Sequence, residues 1–166
     1  MKKLSLILLI AIIASCNFKQ SGIIPVKNAT SKDWNPHSFW YSPWGKSGVH
    51  KGIDIFAKSG TPVLSSVGGL VVFTGDIDMG GKVVAVLSPQ WQIHYYAHLQ
   101  EINTRCLSWA SQGEEIGKVG DSGNAAGKPP HLHYSVVSLT PKPTNITTEL
   151  QGWKRMFYLN PQDQFI

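Results

Sequence analysis

Short apolar runs, each closed by glycine, proline, aspartate or serine, constrain this chain more than any other feature. Between Ile53 and Val137 the β-type segments are Ile53–Phe56, Pro62–Val67, Leu70–Thr74, Lys82–Leu87, Gln92–His98, Glu115–Val119 and Leu132–Val137. Many are rich in valine and isoleucine, which suit a pleated, half-buried surface, and the turn formers between them leave no room for a long helix. The expectation is an all-β fold, a single antiparallel sheet with a barrel-like form and long loops. One short helix is expected within Thr147–Tyr158, ahead of Asn160-Pro161. A faint internal echo relates Gly60-Thr-Pro-Val to Gly113-Glu-Glu-Ile, read as two similar strand–turn units of one sheet. Two copies are too few for a solenoid.

At 166 residues the chain suits one domain, and 42% hydrophobic against 15% charged residues is enough to bury a core. The first residues are expected to lie outside it. Lys2 and Lys3 precede an apolar stretch, Leu4 to Ala14, broken only by Ser5. A bilayer-spanning helix needs roughly 20 residues, so this shorter stretch fits the central region of an export signal. Its end, Ile13-Ala14-Ser15-Cys16, resembles the lipobox of bacterial lipoproteins, which implies cleavage before Cys16 and acylation of that cysteine. The expected organisation is a signal peptide over 1–15, a lipid-anchored tether over 16–33 and a folded domain over 34–166. The resemblance also implies membrane attachment, at the outer membrane facing the periplasm if the cell is Gram-negative.

Loss of residues 1–15 leaves 13 of the 15 basic residues against 10 acidic ones, a net charge of +3. That balance favours an anionic wall or membrane surface, and without an Arg/Lys cluster no nucleic-acid partner is expected. An acylated Cys16 would leave Cys106 without an intramolecular partner, as a buried or inert thiol with no assigned role. The aromatic stretch Trp34 to Trp44 is expected to pack over a core edge or to wall a cleft. Residues 17–43 are also a candidate cover for that cleft, with Asn28 and Asn35 as possible oxygen donors.

Four residues carry the chemistry, in two segments. His50-Lys-Gly-Ile-Asp54 places two metal-ligand types four apart, on one face if extended but about 13 Å apart, so the chain must bend, and Gly52 offers the place. His131-Leu-His133 needs no bend, because residues two apart on a strand share a face, and Leu132 then faces the core. Two imidazoles, a carboxylate and an open position make up a catalytic zinc site, in which zinc lowers the pKa of water to about 7. A further imidazole beside the water can move protons near neutral pH.

Three motifs in order resemble those of the lysostaphin-type (LytM-like) zinc metallo-endopeptidases. They are His50-Lys-Gly-Ile-Asp54 continuing to Val63, Tyr96-Ala-His98-Leu99, and Pro130-His131-Leu132-His133, with Gly120-Asp121-Ser122-Gly123 between the last two. The resemblance runs roughly from Trp44 to Val137 and implies a fold of the duplicated-hybrid-motif type. It further implies that His50, Asp54 and His133 bind one Zn²⁺ per chain and that His98 and His131 are catalytic. The activity implied is hydrolysis of peptide bonds in bacterial peptidoglycan, within stem peptides or cross-links; separately, the chain is expected to be a monomer. The alternative is a wall-binding lipoprotein that has kept the fold and activates another hydrolase, as degenerate relatives do, although all five positions are present here. His94, four before His98, is expected at the surface, with a place lining the site as the other option. Asp121 and Asn124 are expected as turn residues.

Overall fold

The computed structural model describes residues 21–165. The expected signal segment 1–15 and Cys16 lie outside the described residues. Nine strands form one antiparallel sheet: β1 Ile53–Phe56, β2 Pro62–Leu64, β3 Gly69–Ile77, β4 Gly81–Leu87, β5 Gln92–Ile102, β6 Trp109–Ala110, β7 Glu115–Val119, β8 His131–Ser138 and β9 Tyr158–Leu159. The main path runs β1-β8-β5-β4-β3-β6, while β7 joins β2 to β5 and β9 pairs with β8. Among the described residues the helical segments are 3₁₀ turns of three to five residues, and the expected C-terminal helix is one of them, Gly152–Met156. The two echoing segments meet, since Pro62–Leu64 pairs with Glu115–Lys118. Gly60 and Gly113 enter them with φ of +85° and +83°, values that glycine adopts without a Cβ clash.

Antiparallel register sorts the side chains onto two faces, because directly opposed residues share a side. Ile53, Ile55, Val84, Val86, Tyr96, Leu132, Tyr134 and Val136 lie in the core cluster. Each of the fully buried aliphatic side chains contributes about 1.5–3 kcal/mol through removal from water. The residues alternating with them turn to the other face. Asp54 opposes His133, which opposes Ala97; Ser135 opposes Tyr95, which opposes Ala85, which opposes Phe73. That second face carries the candidate site residues Asp54 and His133.

The structure differs from the sequence expectations in several places. Residues 22–33, expected as part of a tether, pack along β2 and the chain end. Val26 bridges Val63 and is 2% exposed, Leu64 N–H donates to the Pro25 carbonyl at 2.9 Å, and Gly22 pairs with Phe165. This strap caps a sheet edge with main-chain bonds, an arrangement that needs no side-chain periodicity. Cys106, expected as a buried or inert thiol, is exposed. His94, expected at the surface, is 1% exposed, with its Nδ1 sharing a 2.6 Å hydrogen bond with the Tyr134 hydroxyl. It opposes Val86 and Val136, which places it on the core side of β5 and away from the candidate site.

Burial pulls His94 from 6.5 down to about 3, so the folded protein holds it neutral. Between those values the unfolded chain binds a proton that the folded chain does not. Stability from this group is therefore complete above pH 6.5 and falls as the pH drops towards 3, by about 1.4 kcal/mol per unit. Urea unfolding at pH 6.5 and at pH 4.5 should show His94→Gln losing about 2 kcal/mol less than wild type over that interval. An equal loss in both would exclude a neutral buried His94 as a source of acid sensitivity.

Candidate metal centre and active site

The β1–β8 pairing builds the centre. Asp54 and His133 are opposed in register, so their side chains rise together from one face. His50 joins them from the residues before β1, where the chain bends at Gly52. A Cβ on Gly52 would lie 2.4 Å from the Tyr134 carbonyl oxygen, so glycine is needed there for close approach of two backbones. His50 Nε2 is 3.1 Å from Asp54 Oδ1 and 3.1 Å from His133 Nδ1, and His133 Nδ1 is 2.8 Å from Asp54 Oδ1.

This donor set fits a zinc ion. His50 Nδ1–H donates to the Ser38 carbonyl at 3.0 Å, which leaves the lone pair on Nε2. That lone pair faces a carboxylate oxygen and a second imidazole nitrogen, a repulsive grouping unless a proton or a cation sits among them. The spacings are close to the roughly 3.3 Å edge of a tetrahedron with zinc–nitrogen distances of 2.0–2.1 Å. Burial pushes the Asp54 carboxyl up, but the His133 and His50 imidazoles in contact with it outweigh that and hold Asp54 well below the ordinary carboxylate range. Trp44 stacks on the His50 ring at 4.1 Å between centroids and shields it on one side.

His98 reaches the same face by a route that strand alternation alone does not provide. Tyr96 and Leu99 are both in the core, three apart instead of two, and the register to β4 shifts between them. His98, at φ +63°, sits in this bulge and is turned out of the core alternation. Its Nδ1–H donates to the Ser122 carbonyl at 2.9 Å. Ser122 Oγ in turn donates to the Leu99 carbonyl and accepts from Lys82 N–H, which ties the bulge to the Gly120–Gly123 loop. Burial first, then the charge of His133, pulls His98 down to about 4, so it is a neutral imidazole near pH 7. His131 opens β8 and donates Nδ1–H to the Pro129 carbonyl at 2.8 Å. The His98 and His131 rings lie 5.0 Å apart and edge-on, and the His98 and His133 rings 6.0 Å apart.

These five residues surround a cleft of about 810 Å³, except that His50 lies beneath its wall. Its apolar wall includes Trp44, Phe56, Tyr95 and Tyr158. The aromatic stretch thus divides: Trp34 and Trp40 are buried, whereas Trp44 faces the cleft. Residues 21–43 contribute none of the cleft lining, so the strap, with Asn28 and Asn35, does not cover it. Asp121 holds a turn through Gly127 N–H, while Asn124, expected as a turn residue, also lines the cleft. Sequence reasoning missed Ser122, Ser38 and Tyr95. The first two act through main-chain carbonyls, which no side-chain identity signals. Tyr95, with its phenol pushed up to about 12 by burial, follows once Ala97 is known to oppose His133, because it lies two residues before it.

Comparison with known proteins places the chain in a family. The family description Peptidase family M23 matches residues 48–146, and the chain belongs to that family. It is 34% identical over 143 residues to the L-Ala--D-Glu endopeptidase of Bacillus subtilis, an alignment covering 76% of this chain and 42% of that protein. It is also 34% identical over 88 residues to the peptidoglycan DD-endopeptidase ShyA of Vibrio cholerae, covering 53% and 20%. The chain therefore spans less than half the length of these curated relatives. Its fold is similar to that of the catalytic domain of the antimicrobial peptidase lysostaphin from Staphylococcus simulans, with a TM-score of 0.60 at 23% identity, covering 76% and 87% of the two chains. A zinc containing peptidase from Vibrio cholerae superposes with a TM-score of 0.58 at 25% identity, covering 71% and 37%.

Gly52→Ala should force β1 away from β8 and cost about 1–3 kcal/mol, as overpacking does. Thermal unfolding would register this as a lowered Tm, and an unchanged Tm would mean that Gly52 is not a close-approach position.

Proposed function

We propose that this chain is a zinc-dependent endopeptidase that hydrolyses peptide bonds in bacterial peptidoglycan, with one zinc ion held by His50, Asp54 and His133. His98 and His131 are its catalytic histidines. The observation that carries this reading is that both imidazoles commit Nδ1–H to a backbone carbonyl and so present Nε2 beside the His-Asp-His cluster. When bound, zinc supplies a Lewis acid that lowers the pKa of water and polarises a carbonyl. The two histidines then do the proton work. A neutral Nε2 accepts a proton from the attacking water, the imidazolium so formed donates to the oxyanion as it develops, and the proton then passes to the amine that leaves. Their carbonyl partners at Ser122 and Pro129 hold each ring in the tautomer this requires.

The cleft also bears on the kind of peptide accepted. Lys46, Lys51 and Lys128 line it, and Asp54, a proposed ligand, is the acidic side chain among the lining residues. Such a rim favours peptides with a free carboxylate near the scissile bond over uncharged bridges. For the placement in the cell, the charged start at Lys2 and Lys3, the apolar stretch and Ile13-Ala14-Ser15-Cys16 support export and acylation at Cys16. In a Gram-negative cell the enzyme would face the periplasm from the outer membrane, as a monomer.

Purified protein should release soluble muropeptides from sacculi. His131→Ala and His98→Ala should retain zinc but lose about 10²–10⁴-fold in rate, whereas His133→Ala should lose the metal itself. Metal analysis beside muropeptide release separates these outcomes. Sacculi left intact by the zinc-loaded protein, with a partner hydrolase stimulated instead, would favour the non-catalytic activator. For the anchor, Cys16→Ser should yield a soluble form or an unprocessed precursor on membrane fractionation. Processing and retention like those of wild type would rule the anchor out.

A further inference from the structure

We infer that the outer edge of the sheet, formed by Phe73, Arg105, Leu107 and Trp109, seats on the lipid surface beside the acylated N-terminus and fixes the orientation of the domain on its membrane. This rests on the proposed acylation of Cys16. Among the described residues strand β6 pairs with Gly69 and Leu70, and beyond it the turn ahead of Trp109 closes over the edge of β3. Leu107 N–H donates to the Val71 carbonyl at 2.8 Å, and the Cys106 thiol lies 3.4 Å from the Val72 carbonyl. The turn, β6 and β3 together leave apolar side chains exposed here: Leu107 is 78% exposed, Trp109 59% and Phe73, in β3, 42%. Arg105 stands exposed in the same turn. An exposed leucine, tryptophan and phenylalanine with an adjacent guanidinium is the composition of a membrane–water interface, where the ring and stem bury and the charge stays wet.

The exit of the chain selects lipid as the occupant. Ser21 is held at this end of the domain, its carbonyl accepting from Gln112 Nε2 at 2.8 Å, while the same amide donates to the Ser66 carbonyl at 3.0 Å. Gln112 is three residues from Trp109, at most about 10 Å, its side chain and the hydrogen bond to Ser21 add roughly 9 Å, and Cys16 is five residues before Ser21, at most about 17 Å. The acyl chains therefore enter the bilayer within reach of the patch, however the intervening residues run. The register adds a consequence. Ala110 is in the core, so Trp109 faces the side of the sheet that bears Asp54 and His133. From β6 to β8 is four strand steps, about 19 Å at the usual spacing. With the patch on the lipid, the cleft lies roughly that far across the sheet from the contact, on the same face.

The test uses the mature lipoprotein in vesicles of phosphatidylethanolamine and phosphatidylglycerol, with the Cys106 thiol carrying an environment-sensitive fluorophore. The expected result is blue-shifted emission that spin-labelled lipid quenches. Leu107→Ser combined with Trp109→Ser should return it to the emission seen in water, with unchanged circular dichroism and muropeptide release. Wild-type emission that matches water, or quenching that survives in the double variant, overturns the inference. So does emission that depends on protein density in the vesicles, which would make the patch an interface between copies, or a blue shift produced by soluble glycan strands without lipid. Mass analysis of the N-terminal peptide separates the two readings: an unmodified Cys16 removes the anchor, whereas an acylated Cys16 with an unquenched probe removes the patch alone.

Discussion

Everything at the centre depends on the pairing of β1 with β8. Opposing Asp54 to His133 puts a carboxylate and an imidazole on one face by register alone, and a one-residue slip of β1 would send Asp54 into the core. The same pairing secures Ile53 and Ile55 against Leu132 and Tyr134 below the sheet. The hydrophobic alternation that folds the chain is thus the alternation that presents the proposed metal ligands. The requirement for close backbone approach at Gly52 belongs to the same constraint, since the bend that returns His50 to the cluster is made against the Tyr134 carbonyl.

Around that pair the fold uses main-chain carbonyls to set imidazole orientation. Ser38, Ser122 and Pro129 each accept an Nδ1–H, so three rings from three segments point Nε2 in defined directions. Carbonyl partners suit this task because they accept only, and the tautomer follows without a further ionisable group. The β5 bulge plays the complementary part, spending one residue of ladder pairing to move His98 out of the core alternation. Held together, the centre is rigid where protons would move and open on the side where Lys46, Lys51 and Lys128 stand.

The ends of the chain show how far packing can depart from local pattern. Residues 22–33 carry no periodicity, yet they lie along β2 as a strap secured by main-chain bonds and by Val26. His94 and His98, four apart in one strand, lie in different environments because the bulge falls between them. One is a neutral core histidine against Tyr134 and the other a cleft residue.

By itself the sequence determined the strand-rich architecture and the two segments that carry the candidate ligands, because alternation, turn chemistry and ligand spacing are local properties. The edges of Ile53–Phe56 and Glu115–Val119 were legible to the residue, since glycine, proline or charged turns bound them. Trp109–Ala110 and Tyr158–Leu159 were not, because two residues carry no period and become strands only when a neighbour supplies the ladder. Likewise, only the tertiary structure decided that His98 turns outward, that His94 is buried, that Cys106 is exposed and that carbonyls orient the rings. Those outcomes depend on register, bulges and the positions of backbone groups far apart in the chain. Side-chain identity at one position does not encode them.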